Sequence, residues 1–102
     1  MTKTFHKYKP LIPLDQFLTM AQEVERFTST SGKRYIVTKV DQNEMFFLRL
    51  DAKGKKEWSM NLLKIYEAYS LLDDFATANF KPFVPIVHSP ARGLLFYLEL
   101  IA

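Results

Sequence analysis

The chain has 102 residues, of which 48% are apolar and 15% aromatic, a size and composition typical of one domain with its own core. It has no cysteine, which excludes disulfide bonds, thiolate metal sites and thiol nucleophiles. The first residues lack the apolar segment of a secretory signal, and no apolar run approaches the length of a membrane span. The sequence therefore predicts a cytoplasmic protein without a membrane segment, carrying a net charge of +3.

The chain begins with a basic stretch, residues 1–14, that contains two prolines and no apolar period. It predicts a mobile N-terminal tail, anchored only by the apolar residues at its end. Residues 15–102 are expected to form a single α+β domain.

The domain is expected to open with a helix that is capped by Asp15 and runs to about residue 27. Helical spacing places one apolar stripe on it: Phe17, Met20, Ala21, Val24 and Phe27. The polar residues 28–32 then end the helix and lead into the first strand.

A three-stranded antiparallel meander between Arg34 and Met60 forms the centre of the predicted domain. Three β-prone runs, Arg-Tyr-Ile-Val-Thr-Lys-Val, Met-Phe-Phe-Leu-Arg-Leu and Glu-Trp-Ser-Met, are separated by turn residues. Between the second and third runs, Asp51 and Gly54 suit a three-residue hairpin loop with glycine at the left-handed position.

That loop predicts the register of the second hairpin. It places Leu48 opposite Trp58, and Arg49 opposite Glu57 as a charge pair on the outer face. The predicted core face then carries Phe46, Leu48, Leu50, Trp58 and Met60.

The first hairpin, closed by residues 41–44, is left open by the sequence. A two-residue and a three-residue loop differ by one position in register, and a one-residue slip exchanges the two faces. One register turns Tyr35 and Val37 to the core, and the other turns Ile36 and Val40 there.

Two helices are predicted after the meander. The first is capped by Asn61, runs to about Leu72 and ends at two adjacent acids. Residues 80–90 contain three prolines and are expected to be extended, until Ser89 caps the last helix with Pro90 in its first turn. A buried strand over residues 94–101 is the alternative to that helix. The predicted element order is α-β-β-β-α-α, with two or three helices packed on the sheet.

The sequence contains no convincing catalytic or metal-binding pattern. Ser31-Gly32-Lys33 lacks the earlier glycine and the following helix of a phosphate-binding loop. His6 and His88 have no further ligands at metal-binding spacing, and adjacent Asp73 and Asp74 are typical of a solvated helix end. We therefore expect no enzymatic activity, cofactor or metal.

Binding of a macromolecule, most readily a protein, is the function that this composition favours. The predicted register leaves Met45 and Phe47 on the outer face as a candidate partner surface, and an apolar last helix adds to it, so a homodimer or a protein partner is expected. One alternative is a nucleic-acid-binding module, with a basic set of candidate contacts: Lys33, Arg34, Lys53, Lys55 and Lys56. A domain that binds a small molecule is the second alternative.

Overall fold

The computed structural model describes residues 5–50 and 56–102. Four antiparallel strands form one sheet in the order β1-β2-β3-β4: β1 Arg26–Thr28, β2 Arg34–Asp41, β3 Glu44–Arg49 and β4 Glu57–Asn61. The helices are α1 Leu14–Gln22, α2 Leu62–Leu71, α3 Thr77–Phe80 and α4 His88–Tyr97. The α+β class is confirmed, but the sheet has a fourth strand and the order differs from the prediction. No helix in the described ranges has the length and apolar character needed to cross a membrane.

The additional strand, β1, comes from the end of the predicted first helix, which was wrong beyond Gln22. Phe27 is buried as the helical stripe required, but it is buried by pairing with Tyr35 in a hairpin. The β1–β2 turn is closed by Ser29, which donates its N–H to the Lys33 carbonyl at 2.8 Å and accepts the Lys33 N–H on its hydroxyl at 3.1 Å. Gly32, at φ +92°, takes the left-handed position of this turn.

The second hairpin is one residue out of the predicted register. Phe47, not Leu48, lies opposite Trp58, and Leu48 lies opposite Glu57. The prediction that Trp58 and Met60 face the core is correct, whereas the assignment of Phe46 and Leu48 to that face is wrong. The connecting residues 51–55, on which the predicted loop depended, lie outside the described residues.

The first hairpin closes through a two-residue loop, with Asp41 opposite Glu44. A β-bulge between Val37 and Lys39 then shifts the register. Because a bulge inserts one residue, both Val37 and Val40 pack against the core from the same strand. Each of the two registers that the sequence left open is therefore correct for one part of β2. Tyr35 and Val37 face the core before the bulge, and Val40 faces it after the bulge.

Of the three predicted helix caps, only the cap of α2 is correct. The Asn61 side chain accepts the N–H groups of Leu63 and Lys64 at 2.9 and 3.1 Å, as expected of the α2 cap. The caps of α1 and α4 were wrong, since they are Pro13 and Val87, and neither makes a side-chain capping bond. The predicted last helix is confirmed through Tyr97, and the alternative strand is not formed.

Residues 80–90 are not extended as predicted. Phe80 ends α3, and a series of turns leads from there to α4, with Val84 buried and Ile86 78% exposed. Asp74 accepts the Ala76 N–H at 2.9 Å and so fixes the turn that leads into α3.

The expectation of a free tail does not hold for Phe5–Lys7. Phe5 is buried, and its carbonyl accepts the Phe75 N–H at 2.9 Å. His6 exchanges two backbone hydrogen bonds of 2.9 Å with Ala102. Arg92 donates to the Phe75 carbonyl at 3.1 Å beneath the Phe5 ring, and burial lowers the pKa of its guanidinium. This segment therefore joins the chain around residue 75 to the C-terminal residues.

Candidate functional site

The predicted partner surface, Met45 and Phe47, is not exposed. Both side chains are buried, at 0% and 1% exposure, because the one-residue register shift turns them to the core face. The last helix is buried along its apolar stripe as well, at Ala91, Leu94 and Leu95. The surface on which a homodimer was predicted is therefore the interior of the domain.

The predicted nucleic-acid contacts are divided between two faces. Lys33 and Lys56 lie on the core-facing side of the sheet, in a cleft at the edge of the core. Arg34 pairs with Thr28 and therefore projects from the opposite face. Lys53 and Lys55 lie outside the described residues.

The cleft that holds Lys33 and Lys56 is the first part of the candidate site, and we call it the basic cleft. It has a volume of about 390 Å³. One wall is the end of the sheet, and the other is the turn before α4 with the first turn of that helix. Its lining residues are Lys33, Tyr35, Phe47, Arg49, Lys56, Trp58, Ile86, Val87, Ser89 and Pro90.

The charges converge on the basic cleft because of the sheet topology. Lys33 immediately precedes β2, Arg49 ends β3 and Lys56 immediately precedes β4. In an antiparallel sheet these three strand ends lie at the same side, as the pairing of Tyr35 with Arg49 shows directly. Three cations from distant parts of the sequence thus line one cavity.

The three cations have no acidic partner in the part of the chain that the structure describes. Glu57, the carboxylate nearest in sequence, lies opposite Leu48 and accepts a 2.7 Å hydrogen bond from the Thr38 hydroxyl. The predicted Arg49–Glu57 pair is therefore wrong, because the two side chains are on opposite faces. Among the described residues, no carboxylate compensates the positive charge of the cleft.

Three aromatic side chains also line the basic cleft: Tyr35, Phe47 and Trp58. The Lys56 ammonium is 4.3 Å from the centre of the Trp58 ring, a cation–π contact. Trp58 is only partly buried, so it is both a core residue and a wall of the cleft. The Arg49 Nε atom is buried without a hydrogen-bond acceptor, which leaves a polar group of the cleft wall unsatisfied.

A second cavity of about 410 Å³ continues from the basic cleft along β4, and we call it the edge groove. It lies between the outer edge of that strand and the turn before α4. Its lining residues are Lys56, Glu57, Trp58, Ser59, Met60, Asn61, Val84, Pro85, Ile86 and Val87. Four of these also line the basic cleft, so cleft and groove form one continuous depression.

The edge of β4 that faces this groove is unpaired. β4 is the last strand of the sheet, and within the described ranges residues 84–87 make no backbone hydrogen bond to it. In an antiparallel strand every second residue directs its N–H and C=O groups away from its neighbour. The edge groove therefore exposes backbone donors and acceptors between apolar walls.

The outer face of the sheet is the remaining apolar surface on strands. Ile36, Phe46 and Leu48 are half-buried there, and they do not belong to the core cluster. The Lys39 ammonium covers the Phe46 ring at 4.7 Å. This face is open but shows no cavity of its own among the main cavities of the described residues.

Within the described ranges, no group of three or more histidine or acidic side chains is placed to hold a metal ion. His6 and His88 each bond a backbone carbonyl, of Asp73 at 2.9 Å and of Pro85 at 3.1 Å.

Sequence reasoning found two of the three cations of the basic cleft but missed Arg49. The predicted register of the second hairpin was shifted by one residue and therefore placed Arg49 on the outer face. Only the observed register shows that Arg49 lines the cleft. The second wall, residues 84–87, was expected to be extended, and its sequence carries no signal that it faces a free strand edge.

Comparison of the chain with protein-family models, with curated proteins and with solved structures gave no significant match. The geometry of the basic cleft and the edge groove is therefore what bears on function.

Proposed function

We propose that this domain is non-enzymatic and binds a segment of a partner protein in the edge groove of β4. The observation that carries the proposal is the unpaired edge of β4 facing a groove with apolar walls. An exposed strand edge is a template for another chain, and many domains bind extended peptides by adding them as a strand. The backbone of such a peptide supplies the hydrogen bonds, and the walls select its side chains.

The two walls of the groove support this interpretation. Trp58 is the kind of half-buried aromatic residue that contributes most to binding energy at protein interfaces. Ile86, across the groove, is 78% exposed and has nothing to cover it in the isolated domain. A bound segment would bury both side chains at once.

A nucleic acid is the second candidate, favoured by the presence of Lys33 and Lys56 beside an aromatic wall. Two features make it the weaker one. Lys56 already covers a face of the Trp58 ring that a base would stack on, and Arg34 lies on the other side of the sheet.

The first test uses exposed side chains, so that folding is not disturbed. Peptides selected from a random library displayed on phage are titrated into the isotopically labelled domain, and the backbone amide shifts are followed by NMR. We expect shifts that are concentrated on Glu57–Asn61 and on residues 84–87. Ile86→Gln should weaken binding about tenfold, since burying an isoleucine contributes roughly 1.5–3 kcal/mol.

Leu71→Gln is the matched control. Leu71 is 68% exposed on α2 and lies outside the groove, so its substitution should change neither affinity nor fold. Peptides that shift amides elsewhere, or affinities that respond equally to the two substitutions, would rule out the edge groove as the binding site.

A further inference from the structure

We infer that the bound segment is acidic and places a carboxylate in the basic cleft, among Lys33, Arg49 and Lys56, while its backbone pairs with β4. This inference rests on the proposed function and specifies the partner's chemistry. It follows from three properties of the cleft: its charge, the state of Arg49 and its continuity with the groove.

The charge of the cleft selects an anion. Three cations line it, and no carboxylate in the described ranges pairs with any of them. The sheet itself contributes to this, because Glu57 is directed to the outer face and held there by Thr38. A cavity lined by charges of one sign focuses its field on an oppositely charged ligand.

The state of Arg49 makes a carboxylate the fitting anion. Its side chain is half-buried on the core-facing side of the sheet, where Arg49 lies opposite Tyr35 in register, and its Nε is unsatisfied. A buried N–H group without a hydrogen-bond acceptor reduces stability. A guanidinium binds a planar carboxylate through two parallel hydrogen bonds, which are stronger than hydrogen bonds between neutral groups. The unsatisfied Nε of Arg49 thus lowers the stability of the unbound domain, and a bound carboxylate would satisfy it.

The continuity of cleft and groove places that carboxylate at one end of the bound segment. Trp58 and Ile86 line both cavities, and the cleft opens at the Lys56 end of β4. A peptide strand paired with Glu57–Asn61 would therefore end near the cations. A group just beyond its last paired residue would contact them. An acidic side chain or the C-terminal carboxylate of the peptide would supply the same chemistry.

The experiment uses a heptapeptide of alternating threonine and valine that ends in glutamate. Three relatives complete the set: glutamine at the end, a C-terminal amide, and both changes together. Isothermal titration should show that at least one of these three peptides binds at least tenfold more weakly than the glutamate peptide. The single change that weakens binding shows whether the side chain or the C-terminus supplies the carboxylate.

Protein variants locate the contact. Arg49→Met keeps an unbranched apolar side chain and removes the guanidinium, and it should weaken the best peptide at least tenfold while leaving the amidated glutamine peptide unaffected. Arg26→Met, on the outer face of β1, is the matched control and should change neither affinity. We also expect Arg49→Met to unfold at a higher urea concentration than the native chain, because the buried, unsatisfied Nε is removed.

The outcomes separate this inference from the proposed function. If the library peptides bind in the groove but all four heptapeptides bind with equal strength, the carboxylate is overturned and strand addition stands. If no peptide binds at the groove, both fail. An oligothymidylate that binds more tightly than the glutamate heptapeptide, and loses affinity with Arg49→Met, would overturn the peptide partner in favour of a nucleic acid.

Discussion

Glu99 holds a backbone conformation that its side chain disfavours. Its φ of 62° lies in the left-handed region, just beyond the end of α4. The Glu99 and Leu100 N–H groups donate to the carbonyls of Phe96 and Leu95, both at 3.0 Å, which is the hydrogen-bond pattern of a Schellman motif. Glycine is the residue that this position normally carries.

We therefore predict that Glu99→Gly raises the free energy of unfolding by about 1 kcal/mol, because it relieves this strain. Urea denaturation measures the change. Glu99→Ala is the control, since it removes the same carboxylate and its long 4.0 Å contact with Lys9 but keeps the Cβ atom. A glycine variant no more stable than the alanine variant would contradict the explanation.

Single side chains also show where sequence reasoning was limited. The pairing of Arg49 with Glu57 was inferred from opposite charges at a plausible spacing, and the structure separates them. The Ser89 cap was inferred from a common motif, yet the cap is Val87 and α4 begins at His88, two residues before the predicted start at Pro90. Local charge and capping patterns occur by chance often enough that tertiary packing decides between them.

At the scale of elements, Gly93 explains how α4 approaches the sheet. A Cβ atom at this position would lie 2.6 Å from the Ser29 Cα atom and 3.0 Å from the Thr28 carbonyl oxygen. The sequence showed only that glycine is unfavourable inside a helix. The structure shows that its absence of a side chain lets the helix contact the β1–β2 turn.

Gly93→Ala should therefore destabilise the domain, although alanine is the better helix former. The gain in helix propensity is about 1 kcal/mol, whereas displacing packed backbone costs roughly 1–3 kcal/mol and can exceed this range. We expect a net loss of stability in thermal and urea unfolding. A variant as stable as the native chain would show that α4 and the turn can separate without cost.

The elements were predicted best where the sequence leaves few alternatives. The α2 cap at Asn61 and the three central strands needed only local information. The run Met45-Phe46-Phe47-Leu48 is apolar at every position, so alternation cannot decide which two face the core. β1 was missed because Phe27 continues a helical period, and only its pairing with β2 makes it a strand.

At the scale of the whole molecule, stability depends on a segment that the sequence presents as a tail. Phe5 is 4% exposed and packs edge-on against Phe96 at 5.7 Å. Its neighbours bridge to Asp74 on one side and Ile101 on the other. No local pattern predicts this docking, because its partners are about as far away in sequence as the chain allows.

Phe5→Ala should cost about 3–5 kcal/mol, as expected for a buried phenylalanine. Such a loss is a large fraction of the 5–15 kcal/mol that typically stabilises a domain. Tyr8→Ala is the matched control, since Tyr8 is 53% exposed and its ring should contribute little. Urea unfolding of the two variants measures both effects, and equal midpoints would mean that the Phe5 segment adds nothing to the fold.

The pairing of His6 with Ala102 also affects how the domain is made. A ribosome releases the chain from its N-terminal end, so Phe5 emerges long before the residues that cover it. Local hairpins and helices can form as they appear, but contacts of such wide sequence separation are closed last. Until Ile101 and Ala102 are free of the exit tunnel, Phe5 and the apolar side of α4 remain exposed, and the nascent domain stays open to chaperones.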